Sequence, residues 1–198
     1  MEPMSLDPEH FSSFSHHILG FESIYRQYQD LFLCVEKMRK NGTKVVVGVV
    51  ATCENGSKIL LVENIDRDGI WSNPAGHVEI NDTIHDAIAW ELLQEADLSL
   101  SKQQYSLSSL VDIGRTPKGS VYLLFAVDVQ AGFYPMSLAP SEIGRSEWFT
   151  LDRALELLRG QGEKTFQPFL RYLEGEEIDL AIKIQQFLVE NSDHLSIV

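Results

Sequence analysis

Between residues 82 and 98 the apolar positions Ile84, Ala87, Ile88, Leu92 and Ala96 recur every three to four residues, and Leu93 widens the stripe. That period follows the 3.6-residue turn and predicts an amphipathic helix. A second helical stripe comes earlier, through Phe21, Ile24, Tyr25, Tyr28, Leu31, Phe32, Val35 and Met38. Lys37, Arg39 and Lys40 ahead of Asn41-Gly42 mark its end. Asp7-Pro8 predicts a further short helix closing near Gly20. From Lys44 the period changes. KVVVGVVATC and KILLVEN flank Asn55-Gly56 as a hairpin, YSLSSLVDIGR and SVYLLFAVDV flank TPKG, and shorter strands are expected around Gly132 to Leu138 and at SEWFT. Helical stretches return at Leu151 to Arg159 and at about Glu176 to Glu190. Strands before and after one central helix, with more helix late, predict an α/β fold in which a mixed sheet lies between helices.

Composition narrows the function classes. The 198 residues carry a net charge of −13, with sixteen Lys and Arg against twenty-nine Asp and Glu, and no basic run longer than Lys37 to Lys40. A nucleic-acid backbone is therefore a poor partner. A phosphorylated small molecule is compatible, because clustered carboxylates recruit a divalent cation that neutralises phosphate. The longest apolar run, Val45 to Cys53, is too short to span a bilayer, so no membrane is implied. The opening MEPMSLDPEH lacks the basic and apolar regions of a secretory signal, and two cysteines, Cys34 and Cys53, fit a reducing, cytoplasmic setting. His16 and His17 have no companion at ligand spacing and read as solvated or capping residues. The terminal LSIV matches a pattern that adds as a strand to PDZ-type grooves, although chance produces such endings often.

The central helix has a second face. Glu91 and Glu95 are four apart, so their carboxylates stack, with Gln94 beside them. Like charges at this spacing oppose a helix unless a cation joins them, which raises the question of a metal, and hard oxygen donors suit magnesium. In an arbitrary helix the same pair would be solvated surface.

The run Gly76, five residues, Asp82, seven residues, then Trp90-Glu91-Leu92-Leu93-Gln94-Glu95-Ala96-Asp97-Leu98 resembles a degenerate Nudix box, Gly-x5-Glu-x7-Arg-Glu-U-x-Glu-Glu-x-Gly-U with U aliphatic. Gly76, Glu91, Leu92, Glu95 and Leu98 match in kind. Asp82 stands for Glu, Trp90 for Arg, Gln94 for Glu and Asp97 for Gly. Trp71, Pro74, Ala75, Gly76 and Glu79 resemble the family's lead-in, and Asp86 and Ala87 the start of its helix. The resemblance implies a Nudix-type α/β/α sandwich over 43–160, with an N-terminal helical extension over 1–42 and a C-terminal helical segment over 161–198.

The resemblance further implies hydrolysis of a phosphoanhydride in a nucleotide or other small diphosphate, with Mg²⁺, or Mn²⁺ in its place, held by Glu91, Glu95, the Gly76 carbonyl and Gln94. Glu91 and Glu95, with Glu142 as the late acidic group, are the candidate catalytic residues. Glu79 is a ligand or a helix-dipole partner, and Glu147 is a second late acid. Arg67, Arg115 and Lys118 either reach phosphate or are ordinary loop charge. Tyr122 and Phe125 either stack a base or pack in the core, since adjacent strand residues face opposite ways. Trp90 cannot supply a guanidinium, and Gln94 brings an oxygen without a charge. Weak or narrow activity follows from the first reading. A catalytically inactive Nudix-fold module that binds nucleotide or protein is the alternative. Asp97 replaces a glycine that often closes the helix at positive φ, a conformation Asp tolerates. The early aromatic stripe faces either its own domain or a second copy, the latter giving a homodimer through the N-terminal helices.

Overall fold

The computed structural model describes residues 18–99, 110–129, 132 and 134–194, with side chains from Tyr25 onward. The helix expected from Asp7, the pair His16-His17 and the terminal LSIV lie outside the described residues. The chain runs through α1 (Ile18–Lys40), β1 (Val45–Cys53), β2 (Lys58–Asn64), a 3₁₀ turn (Ile65–Arg67), β3 (Ile70–Ser72), β4 (Ala75–His77) and α2 (Ile84–Ala96). It continues through β5 (Leu110–Arg115), β6 (Val121–Asp128), β7 (Ile143–Thr150), α3 (Leu151–Gly160), α4 (Gln167–Leu173) and α5 (Leu180–Glu190). The sheet order is β3-β2-β1-β6-β5, with β4 paired to β1 and β7 to β2.

β1 and β6 run parallel at the centre, from Val45 beside Val121 to Thr52 beside Asp128. Both are nearly continuous apolar runs because both faces are covered. Alternation then divides them. Val45, Val47, Val49 and Ala51 join Val121, Leu123, Phe125 and Val127 in one core under α1, α2 and α5. Val50 and Leu124 face the other core, under α3 and α4, with Trp71, Leu158 and Phe169. The result is helices on both faces of a mixed sheet, as expected. The Asn55-Gly56 turn forms, with both residues at positive φ, and TPKG closes β5 to β6 through Thr116 and Ser120.

Two expectations need correction. First, the described residues of the segment around Gly132 to Leu138 form no strand: the amides of Met136 and Leu138 donate to the carbonyls of Ala96 and Gln94, at 3.1 and 2.8 Å. The segment therefore lies along the end of α2, where helix carbonyls lack internal partners. Second, the C-terminal region holds an additional short helix, α4, with Pro168 in its first turn. In the described part of the α1 stripe, Leu31, Cys34, Val35 and Met38 are buried, with Tyr28 and Phe32 packed against the same core, so this stretch faces its own domain.

Candidate active site

α2 begins at Thr83, whose hydroxyl accepts from the amide of Asp86 at 3.1 Å while the Asp86 carboxylate accepts from the Thr83 amide at 3.3 Å. This reciprocal cap satisfies amides the first turn leaves unpaired. The helix ends at Asp97 with φ 54°, its amide donating to Leu93, so the box glycine is replaced by a residue that takes up the same left-handed conformation. Between these ends, Ile84, Ala87, Ile88, Leu92 and Ala96 are buried.

Glu91 and Glu95 stand on successive turns beside β4. Glu95 is only 8% exposed. The amide of Ala75 donates to its Oε2 at 3.1 Å, and the hydroxyl of Ser146 on β7 donates to its backbone carbonyl. Glu91 is half-buried and its carboxylate lies directly over Gly76: a Cβ there would fall 1.8 Å from Oε1. Only glycine leaves this space, which explains the glycine in physical terms.

Burial and like charge act together on the pair. Burial, reinforced by the negative charges of Glu142 and Glu79, pushes Glu91 up to about 7. Burial first, then Glu91 and Glu142, push Glu95 up to about 8, against the opposing pull of the Ala75 amide and Arg67. A cation would relieve this directly. No three His, Cys, Asp or Glu side chains among the described residues form a cage on their own. The donor set still fits Mg²⁺, which takes one or two carboxylates and fills its remaining positions with water and substrate phosphate. One buried and one half-buried acid, with no side-chain cation bonded to them among the described residues, beside a backbone kept open by Gly76, are what such an ion requires.

The structure brings together Gly76, Glu79, Glu91, Glu95, Glu142 and, by its pull on Glu95, Arg67. Gln94 is half-buried on the adjoining face of α2, where Leu138 lies against its backbone. Glu142 arrives because β7 pairs with β2, and its carbonyl accepts from Ile65 at 2.8 Å. Glu147 instead faces Arg145 at 3.5 Å. Arg115 is engaged elsewhere, donating to Gly119 and Asn191. Phe125 is fully buried in the core and offers no face for a base. Tyr122 is also committed: its ring packs edge-on to Phe166 at 5.2 Å and over Gly114, and its hydroxyl donates to Asp112 at 3.4 Å. The stacking expectation for both residues is replaced by packing. Trp90 is 54% exposed.

Sequence reasoning missed the bonds made by Ser146, the Ala75 amide and Arg39. Arg39 was legible only as helix-end charge, yet its guanidinium donates to the turn ahead of α2, 40 residues on. No local pattern reports a contact at that separation. The T-x-x-D pattern of Thr83 and Asp86, by contrast, was available as a capping signal.

Comparison with known proteins places the fold in a family. The NUDIX domain model matches residues 42–173. Phosphatase NudJ of Escherichia coli K12 is 27% identical over 137 residues, covering 69% of this chain and 87% of that protein. A mitochondrial NAD(P)H pyrophosphatase of Mus musculus is 25% identical over 121 residues, 61% of this chain but 34% of that protein, so the chain spans about a third of the mouse relative. A solved NUDIX hydrolase from Nitrosomonas europaea is 28% identical with a TM-score of 0.50, over 71% of this chain and 95% of that one. With the family model matched over most of its length, this chain belongs to the NUDIX domain family.

Proposed function

We propose that the chain is a divalent-metal-dependent Nudix hydrolase that cleaves a phosphoanhydride in a nucleotide or other small diphosphate. The observation that carries this reading is the pair Glu91 and Glu95, buried on successive turns against Gly76 with further acids beside them. Glu91 and Glu95 would hold Mg²⁺ or Mn²⁺, with the Gly76 carbonyl and the Gln94 amide as neutral oxygen donors. When bound, such an ion polarises a phosphate and acidifies water near neutral pH.

The residues themselves do the rest. The Ala75 amide keeps Glu95 oriented, and Gly76 leaves Glu91 its place. Glu142, exposed in the turn that leads into β7, is the candidate to accept a proton from water, and exposed Arg67 is the candidate to meet a phosphate. Because both glutamates hold protons more tightly than usual, metal binding releases protons and strengthens as pH rises through 7 to 8. The similarity to a phosphatase and a pyrophosphatase supports a hydrolase. No helix among the described residues is long and apolar enough to cross a membrane. Cys34 and Cys53, buried and unpaired, suit a reducing compartment such as the cytoplasm.

A second reading, a binding module without turnover, is favoured by Trp90 and Gln94, which remove a guanidinium and a charge from the box. Calorimetric titration of Mg²⁺, with and without a non-hydrolysable nucleoside diphosphate, tests the metal centre. Binding by wild type that disappears in Glu91→Gln/Glu95→Gln is expected. Absence of binding in both would discard the metal reading. The double change Trp90→Arg and Gln94→Glu should raise Mg²⁺-dependent hydrolysis if the box substitutions limit the rate.

A further inference from the structure

The helix that precedes the matched family region is built into this site. α1 ends at Lys40, before the match begins at residue 42. Leu31, Cys34, Val35 and Met38 anchor it in the core, so its last turn is a rigid base. From that turn Arg39 reaches the connection between β4 and α2. Its Nη1 donates to the carbonyls of Glu79 at 2.5 Å, Ile80 at 3.3 Å and Asp82 at 2.8 Å. Nη2 is held by Glu36, one turn back on α1, at 2.7 Å. The side chain is 14% exposed, and its bonds are charge-assisted.

Carbonyls converging on one point repel one another unless a cation sits among them. The 79–82 turn is closed by only one internal bond, from the Asp82 amide to the Glu79 carbonyl at 3.0 Å. Two features of the site hang on this turn. Glu79, whose charge acts on Glu91, is its first residue. Thr83, which caps α2, follows its last. A shift of the turn therefore moves Glu79 and re-aims the first turn of the helix that presents Glu91 and Glu95. Position 90, inside the box, carries an indole and no guanidinium.

We infer that Arg39 is a positioning residue for the acidic site: by clamping the 79–82 turn from outside the family region, it sets the aim of Glu79 and of the carboxylates on α2. The inference rests on reading that site as a metal centre. The planar fork holds the turn carbonyls through Nη1 and Glu36 through Nη2 at once, whereas an ammonium is a point donor.

The test uses the full chain as wild type, Arg39→Lys, Arg39→Gln and Glu91→Gln/Glu95→Gln, read by amide hydrogen exchange without metal and by Mg²⁺ calorimetry. Arg39→Gln is expected to speed exchange across residues 79–86 while β1 and β6 stay protected, and to weaken Mg²⁺ binding about tenfold or more. Arg39→Lys, which keeps the charge and guards against a folding failure of the Gln variant, should recover only part of both. Wild-type Mg²⁺ affinity in both Arg39 variants, with binding lost in the double glutamate variant, would overturn this inference alone. Faster exchange with unchanged affinity would make Arg39 a purely structural clamp and also overturn it. A wild type that binds no Mg²⁺ would overturn the metal reading, and this inference with it.

Discussion

Two groups of buried carboxylates in this molecule are treated in opposite ways. Asp112 on β5 is fully buried, and donors surround it: Lys183 at 2.5 Å, the Ile113 amide at 2.7 Å, the Tyr122 hydroxyl at 3.4 Å and Arg171 at 3.8 Å. It ties α4 and α5 to the edge of the sheet. Among the described residues, the Glu91 and Glu95 carboxylates on α2 have a single backbone donor between them, and acids outnumber the one cation, Arg67, that acts on them. Burial of a charge is costly unless it is paired. The first site satisfies that rule with the chain's own side chains, and the second leaves it to be satisfied from outside. Burial alone therefore does not separate structure from function; what the carboxylate faces does.

Removing the anion breaks the first site most strongly. Asp112→Ala leaves Lys183 and Arg171 facing each other without a counterion and is expected to cost about 3 kcal/mol, measured by urea denaturation. Glu95→Gln at pH 8 should cost little or even stabilise the metal-free protein, because it removes a charge that the Ala75 amide and Arg67 only partly offset. A comparable loss from both would erase the distinction.

The next effect is in pH. The raised values of about 7 and 8 mean that the folded protein keeps protons the unfolded chain has already released. Their contribution is fully present below the ordinary carboxylate range near 4.5 and is lost as pH rises through 7 to 8. Stability of the metal-free protein should thus fall as pH rises from about 5 through 8, a slope absent from Glu91→Gln/Glu95→Gln. Saturating Mg²⁺ should restore stability chiefly at the alkaline end. A flat profile in wild type would show the pair to be better solvated than its position implies.

Gly76→Ala sharpens the comparison locally. The new methyl would meet the far end of the flexible Glu91 side chain, so stability should change little while Mg²⁺ affinity drops roughly 10 to 100-fold, as displaced ligands generally cause. The smallest effect is expected for Tyr122→Phe. Its hydroxyl bond to Asp112 is long at 3.4 Å, and its loss should cost about 0.5–1 kcal/mol, read by thermal melting, with Mg²⁺ binding unchanged.

Much of the fold is legible in local pattern. The stripe on α2, the runs of β1 and β6, the Asn55-Gly56 turn and the left-handed close at Asp97 all arise from neighbours in sequence, where period and turn chemistry act directly. The central part of the site is legible for the same reason, since Glu91 and Glu95 share a helix face. The rest depends on distant partners. Tyr122 and Phe125 look alike on one strand, but the packing of Phe166 over one and of the main core around the other commits both rings. The segment through Met136 and Leu138 has a strand-like composition and is drawn instead to unpaired carbonyls at the end of α2.

By itself the sequence determined that a loop and an amphipathic helix would carry two stacked carboxylates behind a glycine within a mixed α/β fold. Those features follow from the repeat of the helix and from the box spacing. Only the tertiary structure decided that Glu95 is buried and Glu91 half-buried rather than solvated, that the charge of Glu142 acts on them while Glu147 faces Arg145, and that Arg39 from the first helix bonds the turn ahead of their helix. The reason is physical: burial and Coulomb interaction depend on distance in space, which a chain sets through packing among elements far apart in sequence.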